Sequence, residues 1–356
     1  METLLATPGQ AQPSIGHRPR SRPRVAAGVA CLWAVLQLGL ALGQLAGLDV
    51  TPWSGADPSV LSALSTSTVA VVVAVLAGVS LAALATWDRR DGRPARIAGG
   101  LLLATGIVVA LALADVRSLT LLGYLPMVLL HHVGIEPFAA HEMTIPTPVL
   151  LSLMHSVGGV GLLLTGLSAL TGSLDRVGFA GGADRELAER RRIAAVRVGR
   201  WAVGVAVAAP LVYASTRVAW AFGIPLGVSD EFLDLLGDAK YAGLGLGLFA
   251  IVGSMLTLGL VQRWGEAFWS WVPRVGGRPV PVSMAVVPAL FVAMAVISAG
   301  IGFAMIILGG EIDALPGEPV DWAAWAPEVL WVPWGIALGV AALAYRVRRE
   351  ATTSLP

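Results

Sequence analysis

Residues 281–309 read PVSMAVVPALFVAMAVISAGIGFAMIILG, an apolar run that contains no charged side chain. About 20 apolar residues in a helix cross the ~30 Å hydrocarbon core of a bilayer, so this run predicts a membrane-spanning helix. Arg263, Arg274 and Arg278 precede the run, whereas acidic residues from Glu311 to Glu328 follow it. Because short cytoplasmic connections are rich in Arg and Lys, the first end of this span is predicted to face the cytoplasm.

The rest of the chain has the same arrangement. Seven more apolar runs predict spans near residues 26–48, 66–86, 97–115, 148–171, 201–221, 241–262 and 328–345. Of the 24 Lys and Arg residues, all but Arg117, Arg217 and Lys240 then fall on one side of the membrane. The pattern predicts an all-α integral membrane protein with eight transmembrane helices, in the cell (inner) membrane, with both termini cytoplasmic.

The composition excludes several other classes of protein. Hydrophobic residues make up 56% of the chain, charged residues only 13%, and the mean hydropathy is +0.76; soluble domains carry about 25% charged residues. Nucleic-acid binding is not expected, because the basic residues follow span ends and form no aromatic-interleaved surface. Cys31 is the only cysteine, which excludes an internal disulfide and a cysteine-based metal motif. The sequence predicts contact with the lipid bilayer. It leaves open whether the protein forms an oligomer or binds another membrane protein.

Weak internal similarity predicts two tandem four-helix repeats of the same orientation. RVAAGVA at 24–30 resembles RWAVGVA at 200–206, and Gly-Arg-Pro recurs at 92–94 and 277–279. Residues 119–133 are apolar but too short to cross, which predicts a re-entrant or interfacial segment. The predicted units are a disordered cytoplasmic tail (1–25), a first membrane repeat (26–171), a basic cytoplasmic linker helix (172–200), a second membrane repeat (201–345) and a cytoplasmic tail (346–356).

A histidine group after that short segment is a candidate metal site. His131, His132, His141 and Glu142 supply imidazole and carboxylate groups, which are ligands for Zn²⁺, Fe or Cu. Their spacing matches no named metal motif, and the alternatives are a polar interfacial loop and a proton relay or ligand contact. The cofactor therefore stays unknown, with a divalent metal as the one suggestion.

Two ionisable residues inside predicted spans are candidates for a substrate path. His155 lies about two turns into the fourth span and Arg217 about one turn from the outer end of the fifth; such groups are costly in lipid and usually face protein or water. Asp234 and Asp238 belong to an acidic stripe beyond Arg217 that a cation would neutralise. The alternatives are a neutral His155 bonded to a neighbouring helix, an Arg217 that extends to the interface and pairs with an acid, and a solvated acidic face.

Three stretches carry a resemblance to a known group of proteins. They are RVAWAFGIPLGV at 217–228, VQRWGE at 261–266 and VPRVGGRP at 272–279. Together they resemble uncharacterised multi-pass membrane proteins of high-GC Gram-positive bacteria. The resemblance covers mostly the second half, implies a membrane fold and carries over no site residue.

Three classes of function remain after these observations. The first is a carrier for a small solute or ion, favoured by the repeats and by prolines inside the spans at Pro210, Pro288 and Pro333. The second is a membrane-embedded enzyme that acts on a lipid-like substrate through a histidine site at the outer leaflet. The third is a non-catalytic membrane subunit or sensor. The acidic outer connections favour cations or protons if the protein is a carrier.

Overall fold

The computed structural model describes residues 24–55, 59–61, 63–88, 92–134, 145–175, 182–309, 317 and 320–353, and these contain helices and no named strand. The helices are α1 (Arg24–Leu45), α2 (Thr66–Leu84), α3 (Gly92–Val108, continued by a π-helical turn, Val109–Leu113), α4 (Val116–His132), α5 (Thr147–Asp175), α6 (Gly182–Ala221), α7 (Asp230–Leu236), α8 (Ala239–Leu258), α9 (Val282–Gly309), α10 (Ala326–Val329) and α11 (Trp331–Thr353). Most of the predicted tail 1–25, together with His141 and Glu142, lies outside the described residues.

Seven of these helices are long and apolar enough to cross a membrane: α1, α2, α3 with its π-helical turn, α5, α6, α8 and α9. Each corresponds to a predicted span, so the all-α, multi-span fold is confirmed. The eighth predicted span, 328–345, corresponds to α11, which falls outside this set. Its apolar part ends at Tyr345, before Arg346, and covers about 15 residues or roughly 22 Å, short of the ~30 Å of a hydrocarbon core.

Two helices differ in extent from their sequence prediction. The predicted linker helix and the fifth predicted span form one continuous helix, α6, of 40 residues. Ion pairs one turn apart support its polar part, with Arg190 Nη2 2.7 Å from Glu186 Oε1 and Arg192 Nε 2.9 Å from Glu189 Oε2. The short segment near 119–133 is the helix α4, and its 17 residues begin at Val116. Pro210 lies inside α6, which continues through it.

The spans pack in two groups. In the first, α1 contacts α2 and α5, and α3 also contacts α2 and α5; in the second, α6 contacts α8 and α11, and α9 contacts α11. Each group has its own buried apolar cluster, around Trp33 and Leu102 in the first and around Leu290 and Tyr345 in the second. Helices α4 and α5 both contact α9, so α9 joins the groups. We call the end with Arg93, Arg191 and Arg348 the inner end, and the opposite end the outer end.

Glycines allow the closest helix crossings in both groups. A methyl group added at Gly106 of α3 would lie 2.9 Å from the Gly159 carbonyl oxygen of α5. A methyl group added at Gly335 of α11 would lie 2.6 Å from the Ala293 carbonyl oxygen of α9. Small residues at such crossings let helix backbones approach closely, which is how helices associate in lipid.

The crossing at Gly106 gives a prediction about stability. Gly106→Ala should lower the unfolding temperature of the detergent-solubilised protein, because the new methyl group would press on a backbone atom; overpacking of this kind costs about 1–3 kcal/mol. Gly100→Ala on the same helix is the matched control, since nothing lies within 4 Å of its added methyl group. Equal unfolding temperatures for the two variants would contradict the close α3–α5 crossing.

Candidate functional site

A break between α3 and α4 exposes backbone groups inside the helix bundle. The π-helical turn ends at Ala114, whose extended backbone (ψ 154°) stops the helix. Asp115 then separates the two helices and is 5% exposed. Its backbone N–H donates to Ser152 Oγ of α5 (3.1 Å), and the Ala114 carbonyl oxygen accepts from Ser298 Oγ of α9 (2.6 Å). Side chains from both helix groups therefore bond the backbone N–H and C=O groups that the break frees, as the interior of a membrane protein requires.

The Asp115 carboxylate fastens the loop after α1 to the start of α4. Oδ1 accepts from the backbone N–H of Arg117 (2.9 Å), which makes Asp115 the N-cap of α4. Oδ2 accepts from the Ser54 hydroxyl and from Arg117 Nη1 (3.2 Å). The same Nη1 donates to the Ser54 carbonyl oxygen at 2.9 Å. One carboxylate thus holds a loop serine, a helix end and a guanidinium together.

Three serine hydroxyls continue from Asp115 into the bundle. Ser152 Oγ and Ser118 Oγ are 2.7 Å apart, and Ser156 Oγ donates to Ser118 Oγ at 2.9 Å. All three serines are essentially buried. Ser156 lies about 14 Å along α5 from the first residue of that helix, and half of a hydrocarbon core is about 15 Å. We call Asp115 and these serines the hydroxyl chain; it runs from the outer end of the bundle toward its middle.

His155 lies beside the hydroxyl chain and is fully buried. Trp33 Nε1 of α1 donates to His155 Nδ1 (3.2 Å), so Nδ1 carries no proton. His155 Nε2 then donates to the Pro52 carbonyl oxygen (3.0 Å), which defines a neutral imidazole with both nitrogens bonded. The arrangement matches the alternative interpretation given above, a neutral histidine bonded to a neighbouring helix. In this state neither nitrogen is available as a metal ligand or a general base.

Two polar atoms close to His155 have no hydrogen-bond partner among the described residues. Gln37 is fully buried one turn beyond Trp33, and its Oε1 accepts no bond. Trp53 Nε1, in the residue after Pro52, donates none. A buried acceptor and a buried donor therefore lie without a partner in residues next in the helix or chain to those that bond His155.

Arg217 occupies a separate polar centre in the second helix group. Its Nη1 donates to the Ala323 carbonyl oxygen (3.0 Å), and its Nη2 donates to the Ala324 carbonyl oxygen (3.4 Å). Nη2 also pairs with Glu328 Oε1 at 3.2 Å, and each of the two side chains is only 9% exposed. Arg217 pairs with an acid and holds the connection between α9 and α11 against α6.

Aromatic rings complete the surroundings of Arg217. Its guanidinium carbon lies 4.4 Å from the Tyr213 ring centre and 4.3 Å from the Trp220 ring centre, both within the range of cation–π attraction. Burial raises the pKa of the Glu328 carboxyl to about 7, and the charge of Arg217 opposes that rise. We call Arg217, Glu328 and the two rings the Arg217 cage.

A second serine–carboxylate contact lies next to the Arg217 cage. Asp321 Oδ1 accepts from the backbone N–H of Ser229 (2.6 Å) and from its hydroxyl (2.8 Å). The backbone N–H of Ala323 donates to the Gly227 carbonyl oxygen at 3.0 Å. The loop after α6 is therefore fastened by a carboxylate that follows α9, just as the loop after α1 is fastened by a carboxylate that follows α3.

The remaining predicted site residues lie apart from these centres. Asp234 and Asp238 are exposed, and Gly237 (φ 50°) ends α7 between them, so they do not share one helix. Within the described part of the chain, the carboxylate that pairs with Arg217 is Glu328. His132 is exposed at the end of α4, and it interacts with a neighbouring group. The side chain of His131 is not among those that the structure describes. A group of three or more metal-ligand side chains is absent from the described residues.

The sequence analysis did not identify Asp115, Ser118, Ser152 and Ser156 as one hydrogen-bonded group. In the sequence, Asp115 looks like the other acidic residues that lie at the outer ends of predicted spans. A signal was present in α5, where Ser152, His155 and Ser156 fall three and four residues apart and so share one helix face. Nothing in the sequence indicated that α4 would bring Ser118 to that face.

Comparison with known proteins adds no relative. No family model, no curated protein and no solved structure matches the chain. Any functional conclusion therefore comes from the chemistry of the buried polar groups described above.

The Arg217 cage gives a prediction about folding. Arg217→Ala should cost about 3–5 kcal/mol of stability, because it leaves the Glu328 carboxyl and two carbonyl oxygens buried without their donor. Thermal unfolding in detergent measures the loss. Glu328→Gln should cost less, and the double variant should lose less than the sum of the two single losses, because the residues interact directly.

Arg190→Ala is the control for that experiment. It removes an arginine whose ion pair with Glu186 is exposed, with 74% and 67% of the two side chains accessible. Exposed pairs contribute little to stability, so its unfolding temperature should match that of the parent protein. Additive losses at Arg217 and Glu328 would show that the cage is not an energetic unit.

Proposed function

We propose that the protein is a carrier of the cell membrane that conducts protons or a small monovalent cation through the hydroxyl chain. The observation behind the proposal is a buried carboxylate, Asp115, at a helix break, together with three bonded serine hydroxyls that begin at the Asp115 backbone N–H and reach toward the bilayer middle. Each serine hydroxyl both donates and accepts, so such a chain can pass a proton or coordinate a cation. Ionisable groups inside membrane proteins commonly mark such pathways.

The position of the break between the helix groups supports a carrier. Ser298 of α9 bonds to the Ala114 carbonyl oxygen, so the second group contributes directly to the site in the first. Transporters commonly bind their substrate at discontinuous helices between repeats. A small relative shift of α9 would change the hydrogen bonding at the break, which couples the site to movement of the two groups.

The helix contacts also support the two tandem repeats of the proposal. In both groups the first helix contacts the second and fourth, and the third contacts the fourth. The contacts Ser54–Asp115 and Ser229–Asp321 occupy equivalent places in the two groups. We include α11 as the fourth helix of the second repeat, with the outer connections covering its shorter apolar part.

The other predicted site residues have subordinate roles in this proposal. Asp234 and Asp238 lie exposed at the outer end, where their charge attracts cations. His155 and Trp33 keep α1, α5 and the loop at Pro52 in register beside the hydroxyl chain. Arg217 holds the outer connections of the second group in place. The histidine metal site and the enzymatic alternative stay predictions, because His141 and Glu142 are outside the described residues.

Flux through reconstituted protein tests the proposed function. Asp115→Asn should lower proton or cation flux into liposomes about tenfold or more, because it removes the buried charge that holds the cation. The fold should survive, since Asn also caps helices well. Flux is followed with an internal pH-sensitive dye under a potassium diffusion potential, and in parallel with a Na⁺-sensitive dye.

Serine variants provide the matched comparison. Ser156→Ala interrupts the hydroxyl chain and should also reduce flux. Ser80→Ala removes a buried serine whose hydrogen bond, among the described residues, stays within its own helix, to the Leu76 carbonyl oxygen (2.7 Å), and it should leave flux unchanged. No flux in the parent protein, or equal flux in all four proteins, would reject the carrier and favour the enzyme or subunit alternatives.

Cysteine labelling tests the orientation on which the proposal depends. In a Cys31→Ser background, Asp238→Cys should react with a membrane-impermeant maleimide in intact cells. Arg190→Cys should react only after permeabilisation, because arginine-rich ends stay in the cytoplasm. The reverse labelling pattern would overturn both the orientation and the role of the acidic outer end.

A further inference from the structure

A groove at the inner end separates α2 from α3. It has a volume of about 370 Å³, and its lining is apolar except for Thr86 and Arg93. Ala82 and Ala83 of α2 form one wall, and Ile97 and Leu101 of α3 form the other. Arg93 lies in the first turn of α3 and therefore at the mouth of the groove.

The groove extends into the lipid region from that arginine. Leu101 lies about 12 Å beyond Arg93 along the helix. Ile97 and Leu101 are 58% and 43% exposed, which in a spanning helix means contact with acyl chains. The lining thus changes from a guanidinium at the headgroup level to aliphatic side chains deeper in the bilayer.

The same arrangement occurs a second time, between α6 and α11. A groove of about 410 Å³ is lined by apolar residues, Ala194, Val198, Val340 and Leu343 among them, with Arg191 at its inner end. The neighbours Arg190 and Arg192 are paired with Glu186 and Glu189. Among the described residues no ion pair engages Arg191, and Arg348, at the same end, is occupied by Glu266 (2.8 Å).

From this geometry we infer that the α2–α3 groove binds an anionic phospholipid of the inner-end leaflet, with its phosphate at Arg93. Basic pockets between transmembrane helices on the cytoplasmic side bind anionic headgroups, and guanidinium groups pair well with phosphate. One acyl chain lies along Ile97 and Leu101. The α6–α11 groove binds a second lipid through Arg191 by the same chemistry.

Lipid retention by the purified full-length protein tests this site. The protein is delipidated, incubated with equimolar phosphatidylglycerol and phosphatidylcholine, and analysed by native mass spectrometry. The parent protein should retain phosphatidylglycerol preferentially. Arg93→Gln should weaken that retention about fivefold, the change expected for one arginine at a membrane surface, and should remove one bound lipid from the distribution. Arg93→Gln combined with Arg191→Gln should remove two.

Two controls separate a seated lipid from general charge attraction. Arg96→Gln removes the same charge from the next turn of α3, outside the lining, and should retain the lipid. Ala82→Phe fills the groove without changing its charge and should abolish lipid retention. Ala85 lies outside the lining, so Ala85→Phe should retain the lipid. Each variant is first checked for parental helix content and unfolding temperature.

The outcomes decide between three states of this groove. Loss of the bound lipid in Arg93→Gln and in Ala82→Phe, with retention in the controls Arg96→Gln and Ala85→Phe, supports the site. Equal loss with Arg93→Gln and Arg96→Gln would overturn it in favour of diffuse charge attraction. Loss of phosphatidylglycerol with Arg93→Gln, no effect of Ala82→Phe, and displacement of the lipid by millimolar inorganic phosphate would overturn the seated lipid, because Arg93 would then be binding a phosphate group alone.

Discussion

A helix that stops inside a packed bundle leaves amide and carbonyl groups that need partners from neighbouring helices, and this constraint shapes the outer end of the protein around Asp115. The break between α3 and α4 is stable because Ser152 accepts from the Asp115 amide and Ser298 donates to the Ala114 carbonyl oxygen. These two serines come from α5 and α9, so the break is hydrogen-bonded to both helix groups and links them. A polar site between the groups is thus a condition of the fold.

The outer connections follow from a related constraint. A loop at the membrane surface has polar backbone groups and few apolar contacts, so it needs fixed polar partners. Ser54 and Ser229 supply hydroxyl donors, and Asp115 and Asp321 accept from them. Arg117 and Arg217 then bind carbonyl oxygens of the neighbouring segments. Arg117 and Arg217, the two arginines predicted on the outer side, therefore hold outer segments in place through these hydrogen bonds. This role explains why they lie apart from the other arginines, which are predicted on the cytoplasmic side.

The spans could be predicted from the sequence because apolar length and charge asymmetry are local properties of a segment. The partners of Arg217 and His155 could not, since Glu328 and Trp33 lie more than a hundred residues away and no local pattern links them. The break at Ala114 was also missed: prolines pointed to α6 and α9, yet α6 continues through Pro210. In lipid, long-range side-chain partners decide where a helix can stop, and composition does not reveal them.

The two helix groups differ most where they would be expected to match. In the first, α5 presents Ser152, His155 and Ser156 to its neighbours, whereas the corresponding part of α11 presents Gly335 against the α9 backbone. A side chain at Gly335 would collide with the Ala293 carbonyl oxygen, so the second group has no room there for a polar residue. One group therefore supplies the hydroxyl chain and the other a close-packed support. The substrate path we propose is asymmetric for this reason; among the described residues, Ser298 of α9 is the side chain of the supporting group that bonds to it.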